Sequence, residues 1–286
     1  MISPFFYICS VQNLLIYIPK ITARHKYVFK VILNEIYQVE YQLTDDKDFY
    51  LTSTLPRLNY SKSIIIDGEV FVESVDLLQE RQINEVEVNF VEINENPYLF
   101  ATTHQESYHH DLFAATFYLV SRYEEYFPHL KDKYGRYKAS ESIAYKEGFL
   151  KRPIVNVWGQ EFITVLEDKY PELQINKPKF TYISTIDIDN AYLYKGKGFV
   201  RFLAFLIKSV LYFNFSEIKQ AVEVVFRKRK DPYDTYSLQF NLQKKYDLNV
   251  KYFVLLGDYG LNDKNLSHTN SSVNSLIKRL ADLAPV

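Results

Sequence analysis

The stretch Thr185-Ile186-Asp187-Ile188-Asp189-Asn190 has the clearest capacity for chemistry in this chain. It closes a β-branched, apolar run over residues 180–188 that reads as a buried central strand with functional groups at its C-terminal end. Side chains at i and i+2 of a strand point the same way, so Asp187 and Asp189 project to one side. Two carboxylates that close repel each other unless a cation, a proton or a base role accommodates them. One arrangement places a divalent metal on one carboxylate and uses the other as general base toward a metal-bound water. The plainer arrangement is a strand end where Asp187 caps a turn and Asp189 is solvated. Spacing alone leaves both open.

Other groups compete for attention. His104, His109 and His110 fall within seven residues. With no cysteine partner and no glutamate at helical spacing, they read as a polar loop rather than a metal site. Arg122, Glu124 and Glu125 read as a solvated helix face with i to i+3 pairing. Arg227, Lys228, Arg229 and Lys230 form a short basic run that reads as a solvated helix end. Neither a glycine-rich phosphate loop nor a Gly-x-Ser-x-Gly nucleophile elbow is present. Cys9 is the single cysteine, so neither an intrachain disulfide nor a cysteine-based zinc cluster can form. The lone thiol fits a reducing compartment, and no positive charge precedes the apolar N-terminal run, so the chain reads as cytoplasmic.

The elements that must position these groups follow from patterning. The chain has 286 residues, 47% hydrophobic and 24% charged, with 34 Lys and Arg against 35 Asp and Glu. These are globular values, and a net charge of -1 excludes the basic footprint of a nucleic-acid binder. Only 8 glycines are present, so turns lean on Asn, Asp and Pro; the 25 Tyr and 21 Phe read chiefly as core. Apolar runs are all too short for a membrane span. Residues 14–18 read as a first strand, 24–37 as a helix, and 39–43 as a strand. Residues 61–71 read as a hairpin turning at Asp67-Gly68. Residues 111–126 read as a helix capped by Asp111, and 159–169 as a helix ended by Pro171. The result is an N-terminal α/β domain over residues 1–172. Residues 171–178, polar and with two prolines, read as a linker. A second domain over 179–286 then runs strand, an amphipathic helix over 199–213, a helix over 233–246, a strand over 249–256 and a helix over 274–283.

Residues 182–190 resemble the first motif of the polysaccharide deacetylases (carbohydrate esterase family four), in the variant with one residue between the aspartates. Lys230-Asp231-Pro232-Tyr233-Asp234-Thr235 resembles the turn opening the helix after that motif, and residues 250–256 resemble that family's second barrel strand. The arrangement, with an N-terminal α/β accessory domain, is similar to a bacterial group of deacetylase-like proteins. Arg122-Tyr123-Glu124-Glu125-Tyr126 and Ala139-Ser140-Glu141-Ser142 share in that similarity. The resemblance implies a distorted (β/α) barrel, with Asp187 as general base and Asp189 as ligand to a divalent metal, usually zinc. It implies an N-acetylated glycan as substrate, with release of acetate. That family's site also takes two histidines from a downstream motif. Here His268 is the only histidine after the aspartates, so the expectation is an incomplete barrel and no activity from these residues alone. Other classes use the same spacing. A haloacid-dehalogenase-type phosphohydrolase makes the first aspartate a nucleophile, and a D-x-D glycosyltransferase holds a metal and a sugar nucleotide. A non-catalytic reading makes the N-terminal domain a glycan- or protein-binding module.

Overall fold

The computed structural model describes residues 13–257 and 265–283; the Cys9 reading and the C-terminal residues 284–286 lie outside them. The chain is mixed α/β and divides into two compact units, Met1–Lys179 and Phe180–Val286.

In the first unit, β1 (Leu14–Tyr17), β2 (Tyr41–Thr44), β3 (Arg57–Ser61) and β4 (Val70–Glu73) form an all-parallel sheet in the order β2-β1-β3-β4. Strand β1 is central and apolar on both faces, as expected of a strand covered on both sides. Helix α1 (Ala23–Phe29) opens with a Thr22 capping box and runs on as a π-helical stretch over Lys30–Ile36. Helix α2 (Lys47–Thr52) is capped by Asp46. The hairpin expected over residues 61–71 is not formed: β3 and β4 are parallel neighbours, Leu58 opposite Val70. Gly68 does turn the chain at φ +70, but the connection is tied back onto β3. Asn59 donates to Ser63 O and to Glu69, and Glu69 in turn accepts from Ile65 N. The hairpin of this unit is β5 (Phe90–Ile93) with β6 (Asn96–Leu99), turning on Asn94 and Glu95, both at positive φ.

Helix α3 (Leu112–Val120) is capped by Asp111 as expected, but it ends six residues early. Ser121 Oγ bonds back to Phe117 O, Arg122 takes a left-handed conformation at φ 54, and a 3-10 turn follows over Tyr123–Tyr126. A short helix α4 (Ile143–Lys146) precedes α5 (Ile154–Lys169), which starts five residues before Gly159. The core packs Phe29 on Phe113 at 4.0 Å and buries Trp158, whose Nε1 donates to Pro97 O at 2.7 Å. Leu173 is buried in this core, Ile175 packs on it, and Asn176 N donates to Tyr37 O. Residues 171–178 are thus attached to the first unit.

In the second unit β7 (Ile183–Ile188) and β8 (Asn249–Val254) form a two-stranded parallel sheet, Ile183 opposite Asn249. Helices α6 (Phe199–Leu211), α7 (Phe215–Val225) and α8 (Tyr236–Tyr246) lie between the strands in sequence, and α9 (Ser271–Ala281) follows. Ile188, Val250 and Tyr252 pack with Tyr236, Val273, Leu276 and Leu280 on one face. The other face carries Ile183, Thr185, Asp187 and Phe253, all exposed. The strands expected to be buried are therefore covered on one face only among the described residues.

Candidate functional site

The two aspartates sit where β7 ends. Ile188 turns inward, and Asp187 and Asp189 flank it, both exposed. They share a face, as the period of two requires. Among the described residues neither carboxylate has an ion-pair or hydrogen-bond partner. Both line a cleft of about 460 Å³ whose far wall is the turn Pro232, Tyr233 and Thr235 with Tyr236 and Gln239 of α8. Sequence segments some 45 residues apart thus meet in one cleft. Two amide oxygens there, Asn190 Oδ1 and Gln239 Oε1, are buried and lack a partner.

Asp231 is what brings the walls together, through bonds to residues 36–38 positions upstream. Its side chain is 5% exposed. One carboxylate oxygen accepts from the backbone N–H groups of Leu193 (2.8 Å) and Tyr233 (3.0 Å), the other from Tyr194 (2.8 Å) and Lys195 (2.9 Å). The Tyr236 hydroxyl adds a bond to Ala191 O at 2.8 Å. A short loop after the aspartates is therefore pinned at both ends to the turn that opens α8. Four backbone donors stabilise the buried charge that isolated burial would penalise.

The histidine group is divided between the surface and the core. His110 is fully buried, its Nδ1 bonded to Leu99 O and its ring against Trp158. His109 meets Tyr98 edge to face (4.4 Å) and lies tilted against Tyr108 (4.1 Å), while His104 meets Phe71 edge to face. The loop expected ahead of Asp111 is present with His104 exposed, while His109 and His110 pack among aromatic rings, and burial lowers the His110 pKa to about 3. Arg122 pairs with Glu125 as the spacing indicated, but Glu124 is half-buried, caps α4 at Ile143 N, and is raised by burial. His268 is exposed on its loop.

Among the described residues no group of three His, Cys, Asp or Glu could hold a metal ion. The cleft offers two carboxylates, whereas zinc takes three or four protein ligands, so the residues present do not fit a zinc ion. No helix among the described residues is long and apolar enough to cross a membrane. A family model described as a family of unknown function, DUF7033, matches residues 14–171. No curated protein and no solved structure matches the chain.

Proposed function

For a chain that belongs to DUF7033, a family of unknown function matched over its first unit, we propose that chemistry resides in the second unit and is that of an N-acetyl-glycan hydrolase. The observation that carries this reading is the cleft shared by Asp187, Asp189 and the Pro232–Tyr236 turn. Asp187 would be the base toward the attacking water, and Asp189 the carboxylate that would hold a divalent metal once further ligands complete the site. The lack of strong partners on either carboxylate supports this, because a base and a ligand both need open lone pairs. Two parallel strands with helices between them are compatible with the start of a (β/α) barrel. With two carboxylates as the donor set, these residues alone release no acetate; further ligands would have to complete the site.

The test is titration of the full chain with an N-acetylglucosamine oligomer while backbone chemical shifts and free acetate are followed. Saturable shifts confined to residues 186–190 and 232–239, weakened by Asn190→Ala and without acetate release, are expected. Absence of saturable shifts sinks the proposal. So does beryllium fluoride trapped on Asp187, which would instead mark a phosphoryl-transfer nucleophile.

A further inference from the structure

Helices α6 and α7 form a hairpin that leaves an apolar face open. At 100° per residue, Phe199, Val200, Leu203, Ile207, Val210 and Leu211 fall within an arc of about 120° on α6. All six are exposed among the described residues, Phe199 at 77% and Val200 at 80%. The opposite side of the helix is occupied: Phe202 and Phe205 pack on Tyr194, Ala221 and Val224. The face continues at the hairpin tip, where Phe213 is 79% exposed. Apolar surface of this extent on a folded chain marks an interaction site.

Charge says what covers it. Beside the apolar arc, three cations (Lys197, Arg201 and Lys208) and one carboxylate (Glu217) line a cavity of about 680 Å³ floored by Tyr194, Phe202 and Phe205. The run Arg227, Lys228, Arg229 and Lys230 follows α7, and all four are exposed. Between Lys195 and Lys230 the sequence has nine Lys or Arg and two Glu, a net +7, in a chain whose total is -1. A second copy seated on this face would bring two such basic segments together. A purely apolar partner would offer no counter-charge to the net positive segment that flanks the face. A bilayer surface with anionic headgroups satisfies both, with apolar side chains entering the acyl boundary and cations meeting phosphate. The 13 residues of α6 extend about 20 Å, well short of the ~30 Å hydrocarbon core, so the helix lies along the surface.

We propose that the α6–α7 hairpin docks this protein onto an anionic lipid surface, a property independent of the hydrolase reading. The test is co-sedimentation of the full chain with vesicles of phosphatidylcholine alone, and of phosphatidylcholine mixed with phosphatidylglycerol. Partition about tenfold stronger onto the mixed vesicles, falling as salt is added, is expected. The double variant Leu203→Glu, Ile207→Glu places charge on the open face and should lose binding about tenfold with its circular dichroism unchanged. Phe180→Ser, at an exposed apolar residue elsewhere in the same unit, should bind as the parent does. Equal partition onto both vesicles, binding retained by the double variant, or equal loss in Phe180→Ser overturns the proposal. A concentration-dependent dimer dispersed by Ile207→Glu, without vesicle binding, overturns it in favour of a second copy.

Discussion

Replacing Asp231 with Asn tests whether the cleft is held as described. The carboxylate accepts four backbone N–H groups, two on each oxygen. Asn keeps the shape but has one acceptor oxygen, so its NH2 group must face two N–H donors. Hydrogen bonds to a charged group are worth about 1.5–3 kcal/mol each. At 5% exposure, water does little to replace them. Losing two predicts a local loss of about 3–6 kcal/mol. At 1.4 kcal/mol per factor of ten, this equals about 10²- to 10⁴-fold faster exchange. The assay is hydrogen exchange of the Leu193, Tyr194 and Lys195 amides in the full chain. The tryptophan is in the first unit at Trp158, so its fluorescence midpoint serves as a control that stays put. Exchange within about tenfold of the parent at all three amides would refute the idea that this carboxylate pins the loop.

Two further predictions concern the first unit. Burial lowers His25 to about 4 and His110 to about 3, so both are neutral in the folded chain and charge on unfolding. A depressed pKa gives stability that is present above about 6.5 and lost as pH falls toward the folded value. Asp111, raised to about 6 by burial, opposes this, since its contribution is present below about 4 and lost as pH rises through 6. The two histidines outweigh one aspartate, so a net loss of a few kcal/mol, roughly 3, is expected between pH 6.5 and 4. Urea unfolding followed by Trp158 fluorescence checks it; a flat profile, or one that His110→Gln leaves unchanged, refutes it. Gly159→Ala gains about 1 kcal/mol of helix propensity but places a Cβ 2.9 Å from Cε2 of the buried Tyr37 ring. Overpacking of about 1–3 kcal/mol should win, lowering the thermal midpoint by a few degrees; a raised midpoint would mean the ring yields freely.

Part of this was legible beforehand, and the reasons differ by residue. The alternation of apolar and acidic residues in β7 gave the shared face of Asp187 and Asp189, because a strand's period is two. Asp111 as a cap was legible because the cap bonds locally to Ala114 N at 2.9 Å. Its bond to the Tyr60 hydroxyl, 51 residues away, was not. The same holds for Asp231, whose partners at Leu193 to Lys195 lie 36–38 residues upstream, so no local pattern announces them. Asp67-Gly68 carries the chemistry of a turn but not of a hairpin, because turn chemistry does not say whether the next strand runs parallel. The real hairpin turn places Glu95 at φ 64, where glycine is usual, so its signature is hidden. The aromatic setting of His109 and His110 comes from Tyr98, Tyr108 and Trp158, which converge only in three dimensions.

The placement of β1 at the centre of its sheet has a consequence for biosynthesis. β1 is the earliest described strand to be made, yet its neighbours are β2 and β3, completed only at Thr44 and Ser61. At about 5–20 residues per second, a strand apolar on both faces waits about 1–5 seconds before its first edge can be paired. Nascent chains stopped short of β3 would carry this strand unsheltered and should be the forms most prone to aggregate, whereas chains released after Glu73 can close the four-stranded sheet.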